Sequence, residues 1–429
     1  MRKAVVVGSG AGGAAAARDL AGVFDVTVIE AGGEFRPFRL TLNAAIRLKR
    51  LGLLFDAREI ELFFPEMRVG KAARGMILIS GRATGGTTTL SCGNALRQDD
   101  ALKAIGIDLS PEFEEIEREV PVTSDHRRLW RKPTRKLFEI FAEMGLDPRP
   151  LPKMGRYELC RNCGHCVLGC PYGVKWDSRA FLSDAQARGA RLITGCRATC
   201  IIVRNGRAEG VAVRKGLRHF VVPADFVVLA AGGLGTPPLL ERSGIPVEPR
   251  LFVDPVLCLA AEWKGAGQNR ELPMPFAAQR KGYILSPYFD QFSFFFNKNW
   301  TAQPEDILSL MVKLADEGTG RATTSGIEKT LSAEDEARLA EAAALCAEIL
   351  ERMGAGRERM FFGTLNAGHP GGMVPLTARD AASLHPERLP ANVYVADASL
   401  LPASLGNPPI WTIMALAKRV AKICRDRVQ

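Results

Sequence analysis

Residues 4–33, AVVVGSGAGGAAAARDLAGVFDVTVIEAGG, decide the fold. The apolar run at 4–7 is typical of a buried parallel strand, and GSGAGG at 8–13 matches the G-x-G-x-x-G turn that follows such a strand in dinucleotide-binding folds. The small residues at 14–20 predict a helix, and VTVI at 26–29 predicts a second strand. Strand, glycine turn, helix and strand together predict a Rossmann-like α/β fold that cradles a dinucleotide.

Three glycines of this turn and an acid after the second strand predict how the cofactor is held. Gly8 permits the tight turn, Gly10 lets a pyrophosphate approach the backbone, and Gly13 lets the helix pack closely on the sheet. Glu30 stands where a carboxylate would bind the ribose hydroxyls. No arginine replaces it, so we expect a cofactor without a 2′-phosphate.

The composition limits the class of protein. A chain of 429 residues, 47% of them hydrophobic, can bury the cores of two domains or of one elaborated α/β domain. The first strand follows Met1 almost at once and no apolar run is long enough to span a bilayer, so we expect a cytoplasmic protein, with a peripheral position at a membrane as the alternative. The net charge of +10 favours an acidic partner, an anionic substrate or a membrane surface, whereas the even spread of basic residues argues against nucleic acid.

A cluster of cysteines indicates a second redox group. The run CRNCGHCVLGCP at 160–171 holds four of the ten cysteines with the spacing C-x2-C-x2-C-x3-C-P, which is typical of a [4Fe-4S] cluster. The predicted ligands are Cys160, Cys163, Cys166 and Cys170. Because the fourth cysteine of such a run serves the other cluster in two-cluster ferredoxins, Cys196 and Cys200 remain alternatives to Cys170. A structural zinc site is the second interpretation.

The remaining segments predict a discontinuous cofactor domain and a second domain. Apolar strands at 226–230 and 392–397 return to the parallel sheet, whereas aromatic segments at 282–287 and 291–297 predict strands of an antiparallel sheet. The predicted division is 1–100, 190–250 and 365–429 for the cofactor domain, 101–150 for a helical insertion, 151–189 for a cysteine-rich segment, and 251–364 for an α+β substrate domain.

Helices are predicted at three further places. A basic amphipathic helix at 38–55 is expected to pack beside the cofactor, with a membrane surface as the alternative. Ser-Pro at 110–111 predicts a helix start, and we expect the acidic residues at 112–119 to face solvent. A capping box at 332–335 predicts a helix that ends at Gly354.

Four segments together resemble the glucose–methanol–choline (GMC) oxidoreductase family. They are the GSGAGG turn, GRATGGTTTLSCGN at 81–94, AGGLGTPPLLERSG at 231–244, and the tail formed by GHPGGMV at 368–374 and VYVADASLLPASLGNPPIWTIMALAKR at 393–419. The resemblance implies bound FAD, with its adenosine half near Glu30 and its flavin along 81–94. The cysteine run is similar to one found in a subset of ferredoxin- or quinone-linked flavoproteins of this type.

The same resemblance implies the site residues. In the family a histidine and a second histidine or asparagine face the reactive flavin nitrogen, which implies His369 and Asn407 as catalytic residues. The segment after Asn407 is one residue longer than the family's usual N-P-x-x-T. The implied cofactor-binding residues are Gly8, Gly10, Ala11, Gly13, Glu30, Ala31, Arg82, Gly85, Gly86, Thr87, Asn94, Ala231, Gly232, Asp397 and Pro408.

These observations predict an FAD- and iron–sulfur-dependent dehydrogenase. His369 would accept the hydroxyl proton of an alcohol or polyol while hydride passes to flavin N5, and a [4Fe-4S] cluster would pass the electrons to ferredoxin or a quinone. Two other functions stay open. One is a flavin-dependent reductase or desaturase of a C=C bond in a lipid or isoprenoid, and the other is an electron-transfer subunit of a larger redox complex.

Overall fold

The computed structural model describes residues 1–38, 42–53 and 56–427. The strands are β1 (Lys3–Val7), β2 (Asp25–Ile29), β3 (Met67–Lys71), β4 (Ile77–Gly81), β5 (Val122–Thr123), β6 (Arg149–Pro150), β7 (Lys153–Met154), β8 (Arg191–Ile193), β9 (Cys196–Arg204), β10 (Arg207–Lys215), β11 (Arg218–Pro223), β12 (Phe226–Leu229), β13 (Val256–Glu262), β14 (Phe276–Arg280), β15 (Tyr283–Pro287), β16 (Ile307–Leu314), β17 (Gly320–Ala322), β18 (Ile327–Lys329), β19 (Met360–Phe362), β20 (Asn366–Ala367) and β21 (Val393–Val395). The helices are α1 (Ala11–Leu20), α2 (Leu42–Arg50), α3 (Ala57–Phe63), α4 (Asp100–Lys103), α5 (Ser110–Glu119), α6 (Lys132–Glu143), α7 (Arg179–Ala187), α8 (Thr236–Arg242), α9 (Gln291–Phe296), α10 (Ala333–Arg352) and α11 (Ile410–Asp426).

A parallel sheet in the order β21-β12-β1-β2-β8 carries the glycine turn. Its central strand β1 pairs in register with β2 on one side and β12 on the other, and residues 4–7 are buried. A strand buried on both faces must be apolar throughout, which explains the uninterrupted apolar runs. The predicted strands at 4–7, 26–29, 226–230 and 392–397 are confirmed, and they join one sheet from distant parts of the chain.

The second sheet is mainly antiparallel and follows the order β3-β4-β20-β13-β16-β15-β14-β6, with β19 paired to β13. Strand β16 lies in its middle and is buried at every residue. Strands β3 and β4 lie within the predicted cofactor segment 1–100 but pair in this sheet. The first hundred residues therefore contribute to both sheets, and the α/β fold with a second, antiparallel unit is confirmed.

The sequence predicted that the acidic residues of α5 face solvent, but one side of this helix packs against other residues of the protein. Glu112 is 1% exposed, and the Lys422 ammonium lies 2.7 Å from its carboxylate and 2.6 Å from that of Glu115. Glu119 pairs with Lys418 at 3.2 Å. These carboxylates are spaced at three and four residues, so they share one helix face and meet the basic residues of α11. The expectation of a solvated face is wrong for this side of α5.

The aromatic segment 291–297 forms helix α9 and not the predicted strand. The carboxylate of Asp290 accepts hydrogen bonds from the backbone N–H groups of Phe292 and Ser293 at 3.0 and 3.1 Å. This cap satisfies two donors that a helix start leaves free, and it outweighs the strand preference of the aromatic residues. The strand predicted at 282–287 and the helix capped at 332–335 are confirmed as β15 and α10.

The basic segment 38–55 contains helix α2, although residues 39–41 and 54–55 lie outside the described part of the chain. Ile46 and Leu48 pack against the buried core beside α9. The Lys49 ammonium donates to the backbone oxygen of Trp300 at 2.8 Å and lies 4.6 Å from the Phe294 ring centre. These contacts support the packed helix. Among the described helices, none combines the length and apolar character that a membrane crossing requires.

Candidate active site

Both sheets contribute to the wall of one large cavity of about 600 Å³. The wall contains most of the residues that the sequence predicted for the site. These are Gly8, Gly10, Ala11, Glu30, Ala31, Arg82, Gly86, Thr87, Asn94, Ala231, Gly232, His369, Asp397 and Pro408. Segments that are hundreds of residues apart in the chain therefore meet around one space.

The glycine turn forms one end of this cavity. Gly8 has φ +102°, and a Cβ there would lie 2.2 Å from the backbone oxygen of Ala230, so no other residue fits. A Cβ on Gly13 would lie 2.0 Å from the oxygen of Gly8. Gly13 is therefore absent from the cavity wall because it packs α1 against the turn. At Gly10 the nearest atom to an added Cβ is 4.0 Å away, which leaves the backbone open towards the cavity.

A second glycine pair, at 85–86, lies against the first turn. A Cβ on Gly86 would lie 2.9 Å from the Cα of Gly10, so the two turns touch through backbone. Gly85 does not line the cavity; its N–H donates to the Ser9 hydroxyl at 3.2 Å and its φ is +89°. Helix α1 starts at Gly10 without a side-chain cap, which leaves N–H groups free at its first turn. Such a helix start favours an anion such as a pyrophosphate.

The carboxylate of Glu30 is buried in the wall of this end. It accepts hydrogen bonds from the N–H and hydroxyl of Ser9 at 3.1 and 2.6 Å, and from the N–H of Gly32 at 2.8 Å. Burial raises the pKa of Glu30, and these donors oppose the rise. The oxygen bonded to Gly32 keeps acceptor capacity, because each carboxylate oxygen can accept two hydrogen bonds.

Asp397 holds the third glycine-rich turn in place. Its carboxylate accepts hydrogen bonds from the Gly232 N–H at 2.9 Å, the Thr236 hydroxyl at 2.5 Å and the Ser399 N–H at 2.8 Å. Burial raises its pKa, opposed by these donors. The conformation of the 231–236 turn therefore depends on a carboxylate from the last strand of the parallel sheet.

Asn407 is the predicted catalytic residue that the structure does not bring into the cavity wall. Its amide exchanges hydrogen bonds with Gln279, at 3.0 and 3.4 Å. The next residue, Pro408, lines the cavity instead. The extra residue before Thr412 offers the physical reason, because it changes which side chain of this loop reaches the cavity. A catalytic role for Asn407 stays a prediction.

His369 lines the same cavity as the glycine turn and is 25% exposed. Its Nδ1 is 3.6 Å from the carboxylate of Asp254, which is just too long for a hydrogen bond, and it has no hydrogen-bond partner among the described residues. Asp254 is buried and forms an ion pair with Lys313, which also lines the cavity. The arrangement leaves Nε2 of His369 as the ring nitrogen available to a substrate.

Charge and burial set the protonation of this group of three residues. Burial lowers the pKa of His369 and Lys313 lowers it further, while Asp254 acts in the opposite direction. Burial alone would raise the pKa of Asp254, but Lys313 and His369 outweigh it and hold it below its ordinary value. His369 is therefore neutral at pH 7, which is the form that can accept a proton.

Sequence reasoning missed Asp254 and Lys313. One signal was available: Lys313 lies in β16, ILSLMVKL, and a lysine inside a fully buried strand needs a charged or hydrogen-bonding partner. The partner could not be named from spacing, because Asp254 is 59 residues away in the chain.

The wall of the large cavity also contains seven apolar and aromatic side chains. They are Leu90, Val167, Val256, Met274, Tyr288, Phe292 and Met311. Polar groups in the wall include the amides of Asn94 and Asn366. Val256 pairs with Lys313 across the antiparallel sheet, so this apolar wall reaches the ion pair beside His369 and can hold an apolar body with a polar group directed at His369.

The four cysteines of the 160–170 run all line a second, separate cavity. Among the described residues, no group of three or more His, Cys, Asp or Glu side chains is arranged to hold a metal ion, so the arrangement shows neither a zinc site nor a cluster. In a [4Fe-4S] cluster each cysteine binds a different iron, so four thiols around one space are the donor set that such a cluster would need.

Local backbone geometry turns the thiols towards this second cavity. The Asn162 N–H donates to the sulfur of Cys160 at 3.4 Å, and Asn162 has φ +52°. A Cβ on Gly164 would lie 1.9 Å from the oxygen of Asn269, so the loop can follow this path only with glycine at that position. The alternative ligands Cys196 and Cys200 do not line the cysteine cavity; Cys196 lines the large one.

Two buried lysines lie between the cavities, and sequence reasoning missed both. The Lys153 ammonium donates to the backbone oxygens of Cys92 and Pro273 and to the side-chain oxygen of Asn94. The Lys175 ammonium donates to the backbone oxygens of Thr88 and Thr89, both at 2.9 Å.

Neither lysine has a carboxylate as a hydrogen-bond partner among the described residues. Burial lowers the pKa of Lys153 to about 8, with Cys92 and Cys166 acting in the opposite direction. Burial also lowers the pKa of Lys175, opposed first by Asp177 and then by Cys166. Both ammonium groups are thus close enough to Cys166 to favour its thiolate, although burial outweighs them and raises its pKa.

The profile of the GMC oxidoreductase family matches residues 3–269. The chain therefore belongs to the GMC oxidoreductase family, whose members are FAD-dependent oxidoreductases that act on CH–OH donors. The cavity fits FAD, because its glycine turns leave backbone open where a pyrophosphate would lie and its volume suits a large ligand.

Two relatives show how far this similarity extends. An uncharacterized GMC-type oxidoreductase of Mycobacterium tuberculosis is 34% identical over 265 residues, which are 58% of this chain and 40% of the relative. A long-chain-alcohol oxidase of Arabidopsis thaliana is 27% identical over 267 residues, which are 56% of this chain and 34% of the relative. The matched part of the chain thus spans less than half the length of either relative.

A solved structure extends the similarity of the fold to the whole chain. The crystal structure of pyridoxine 4-oxidase from Mesorbium loti superposes with a TM-score of 0.75 at 19% identity, over 98% of this chain and 99% of that one. The names of this oxidase and of the two relatives mention no iron–sulfur group. The cysteine run is therefore a feature that the comparisons leave unexplained.

Proposed function

We propose that this chain is an FAD- and iron–sulfur-dependent dehydrogenase of alcohols with an apolar body. The observation that carries the proposal is that two consecutive residues line the two cavities. Cys166 lines the cysteine cavity and the next residue, Val167, lines the large cavity. Consecutive Cα atoms are about 3.8 Å apart, so the walls of the two cavities adjoin at this point of the chain. Two redox groups in these spaces would be close neighbours.

The substrate class follows from the wall around His369. Apolar side chains of β13, β16 and α9 would cover the body of the substrate, and His369 would meet its hydroxyl group. A long-chain-alcohol oxidase among the relatives and a pyridoxine 4-oxidase among the similar structures agree with a substrate that carries a CH–OH group. The amides of Asn94 and Asn366 are neutral, so they can bond a polar group without adding charge beside His369.

His369 would act as the general base. When bound, FAD supplies the acceptor for the hydrogen that leaves the substrate carbon as hydride. The Nε2 atom of His369 would accept the hydroxyl proton, and the negative charge of Asp254 near Nδ1 would stabilise the resulting imidazolium. Lys313 holds Asp254 ionised and in place through the buried ion pair.

The cysteine cavity would hold a [4Fe-4S] cluster, which supplies one-electron transfer when bound. Cys160, Cys163, Cys166 and Cys170 are the proposed ligands, since Cys196 and Cys200 lie elsewhere. Such a cluster with four thiolates carries net negative charge. The ammonium groups of Lys153 and Lys175 would balance this charge, which agrees with two buried cations that have no carboxylate as a hydrogen-bond partner among the described residues.

Anaerobic mixing of the purified protein with primary alcohols of increasing chain length tests the proposal. We expect alcohols to bleach the flavin absorbance, with rates that rise with chain length as more of the apolar wall is filled. The reductase alternative predicts the opposite direction: no bleaching by any alcohol, and reoxidation of chemically reduced protein by an alkene. An isolated chain that is inert with both, but active with a co-purifying partner, would favour the electron-transfer subunit.

A further inference from the structure

An exposed, arginine-rich surface lies beside the cysteine cavity. We call it the cysteine-loop face and define it by six residues that are exposed to solvent. They are Arg128, Arg156, Arg161 and Arg270, together with the large apolar side chains of Leu159 and Tyr172.

Direct contacts tie this face to the cavity. Arg161 and Tyr172 line the cavity, and the guanidinium of Arg161 lies 4.6 Å from the Tyr172 ring centre. Arg128 donates to the backbone oxygen of Tyr157 at 3.0 Å, and its charge acts on Cys160. The backbone of Arg270 packs against Gly164, where an added Cβ would lie 3.1 Å from the Arg270 Cα. The positive charges are therefore held beside the thiols.

The face combines net positive charge with exposed apolar area. Glu158 is exposed among the arginines and offsets one of the four positive charges. Leu159 is 56% exposed and Tyr172 is 47% exposed, so the face also presents apolar area to a partner. Arginine and tyrosine at the centre of a patch are typical of protein contacts, and the sign of the charge selects an acidic partner.

We propose that the cysteine-loop face docks an acidic one-electron carrier protein of the ferredoxin type. This inference rests on the proposed function, because the carrier would accept the electrons of the oxidised alcohol. Oxidation of one CH–OH group to a carbonyl releases two electrons and two protons. Each docked carrier is reduced by one electron, so two carrier molecules dock in succession for each alcohol, and both protons leave to water.

Binding measured with two carriers of opposite charge tests the inference. A plant-type [2Fe-2S] ferredoxin serves as the acidic carrier and cytochrome c as the basic one, each titrated against the purified protein by calorimetry at low ionic strength. We expect ferredoxin to bind, and cytochrome c to bind at least tenfold more weakly. The variant with Arg128→Glu and Arg161→Glu should bind ferredoxin at least tenfold more weakly than the unmodified protein, and raised salt should weaken binding to the unmodified protein.

The matched control carries the same change of charge on a different surface. Arg204→Glu and Arg218→Glu lie on exposed positions of β9 and β11, outside the cysteine cavity. We expect this variant to keep the ferredoxin affinity. Equal weakening by both double variants, or no ferredoxin binding by the unmodified protein, would overturn the docking face. A protein that binds ferredoxin at this face but contains no iron would instead overturn the iron–sulfur part of the proposed function.

Discussion

Lysine side chains are buried at two places near the large cavity, and their bonding partners differ between the two places. Lys313, beside His369, forms an ion pair with the buried carboxylate of Asp254. Lys153 and Lys175, beside the cysteines, are bonded to backbone and amide oxygens. The first site is neutralised by the chain itself. At the second site the hydrogen-bond partners are neutral, so they do not neutralise the two positive charges.

This difference agrees with the roles that we propose for the two sites. A buried ion pair next to a histidine fixes the charge around a proton acceptor and keeps the histidine neutral until a proton arrives. Buried cations without a carboxylate partner are costly unless another anion approaches. The thiolates of a metal cluster are such an anion, and Cys166 is close enough for both lysines to act on it. Substitutions at the two sites are therefore expected to affect different steps of the reaction.

The largest effect is expected from Cys163→Ser, which removes a ligand of the proposed cluster. Reduction of the flavin by an alcohol should survive, because the flavin lies in the other cavity, while transfer to a one-electron acceptor should be lost. Stopped-flow absorbance for the first step and electron paramagnetic resonance of the reduced protein measure the two effects. Cys200→Ser is the control, since Cys200 lines neither cavity. An unchanged resonance signal in Cys163→Ser would contradict the ligand assignment.

His369→Ala should slow flavin reduction by the alcohol roughly 10²- to 10⁴-fold, as expected for the loss of a general base. Flavin content should stay normal, because the change leaves the glycine turns and Glu30 intact. His385→Ala provides the control, since that histidine bonds the backbone oxygen of Pro390 and is absent from the cavity wall. Reduction at the original rate would show that His369 only shapes the cavity.

Lys153→Met should lower the reduction potential of the cluster, because it removes a positive charge that favours the added electron. Coulomb's law gives about 2 kcal/mol for charges roughly 8 Å apart at an effective dielectric constant of about 20. For one electron this corresponds to on the order of 80 mV. Lys313→Met removes the same charge beside His369 and should leave this potential nearly unchanged. The reduction potential is measured by redox titration of the resonance signal. Equal shifts of this potential in both variants would contradict the proposed difference between the two lysine sites.

Asp254→Asn should move the pH dependence of flavin reduction. Protonated His369 cannot accept a proton, so the rate should fall as the pH decreases through the pKa of His369, which burial places below 6.5. Since the charge of Asp254 raises this pKa, removing the charge should shift the fall in rate (the acid limb of the pH–rate curve) to lower pH. Ser404→Ala removes a hydroxyl that donates to Asp254 but keeps the charge, so its limb should stay in place. A limb that moves to higher pH in Asp254→Asn would contradict the arrangement.

The cofactor half of the molecule follows from its sequence to a large extent. The glycine turn, Glu30 and the apolar strands are local signals, and the parallel sheet and the cavity wall contain them as expected. The cysteine spacing likewise anticipated that four thiols would share one cavity. Most of the correct predictions thus came from sequence motifs that span no more than about 30 residues.

The contacts between distant segments did not follow from such patterns. The group of Asp254, Lys313 and His369 joins three segments of the chain, and no spacing rule connects them. Lys153 and Lys175 look like ordinary surface lysines in the sequence, although both are buried. At 291–297 a single side chain, Asp290, converted an expected strand into a helix. In each case a tertiary contact or a cap outweighed the local preference.

Whether two redox groups share this chain is decided by the content of iron, sulfide, zinc and flavin in protein purified without oxygen. We expect four iron and four acid-labile sulfide per FAD, with the iron lost in Cys163→Ser while FAD is retained. Stoichiometric FAD without iron or sulfide, or one zinc ion in place of the iron, would contradict it.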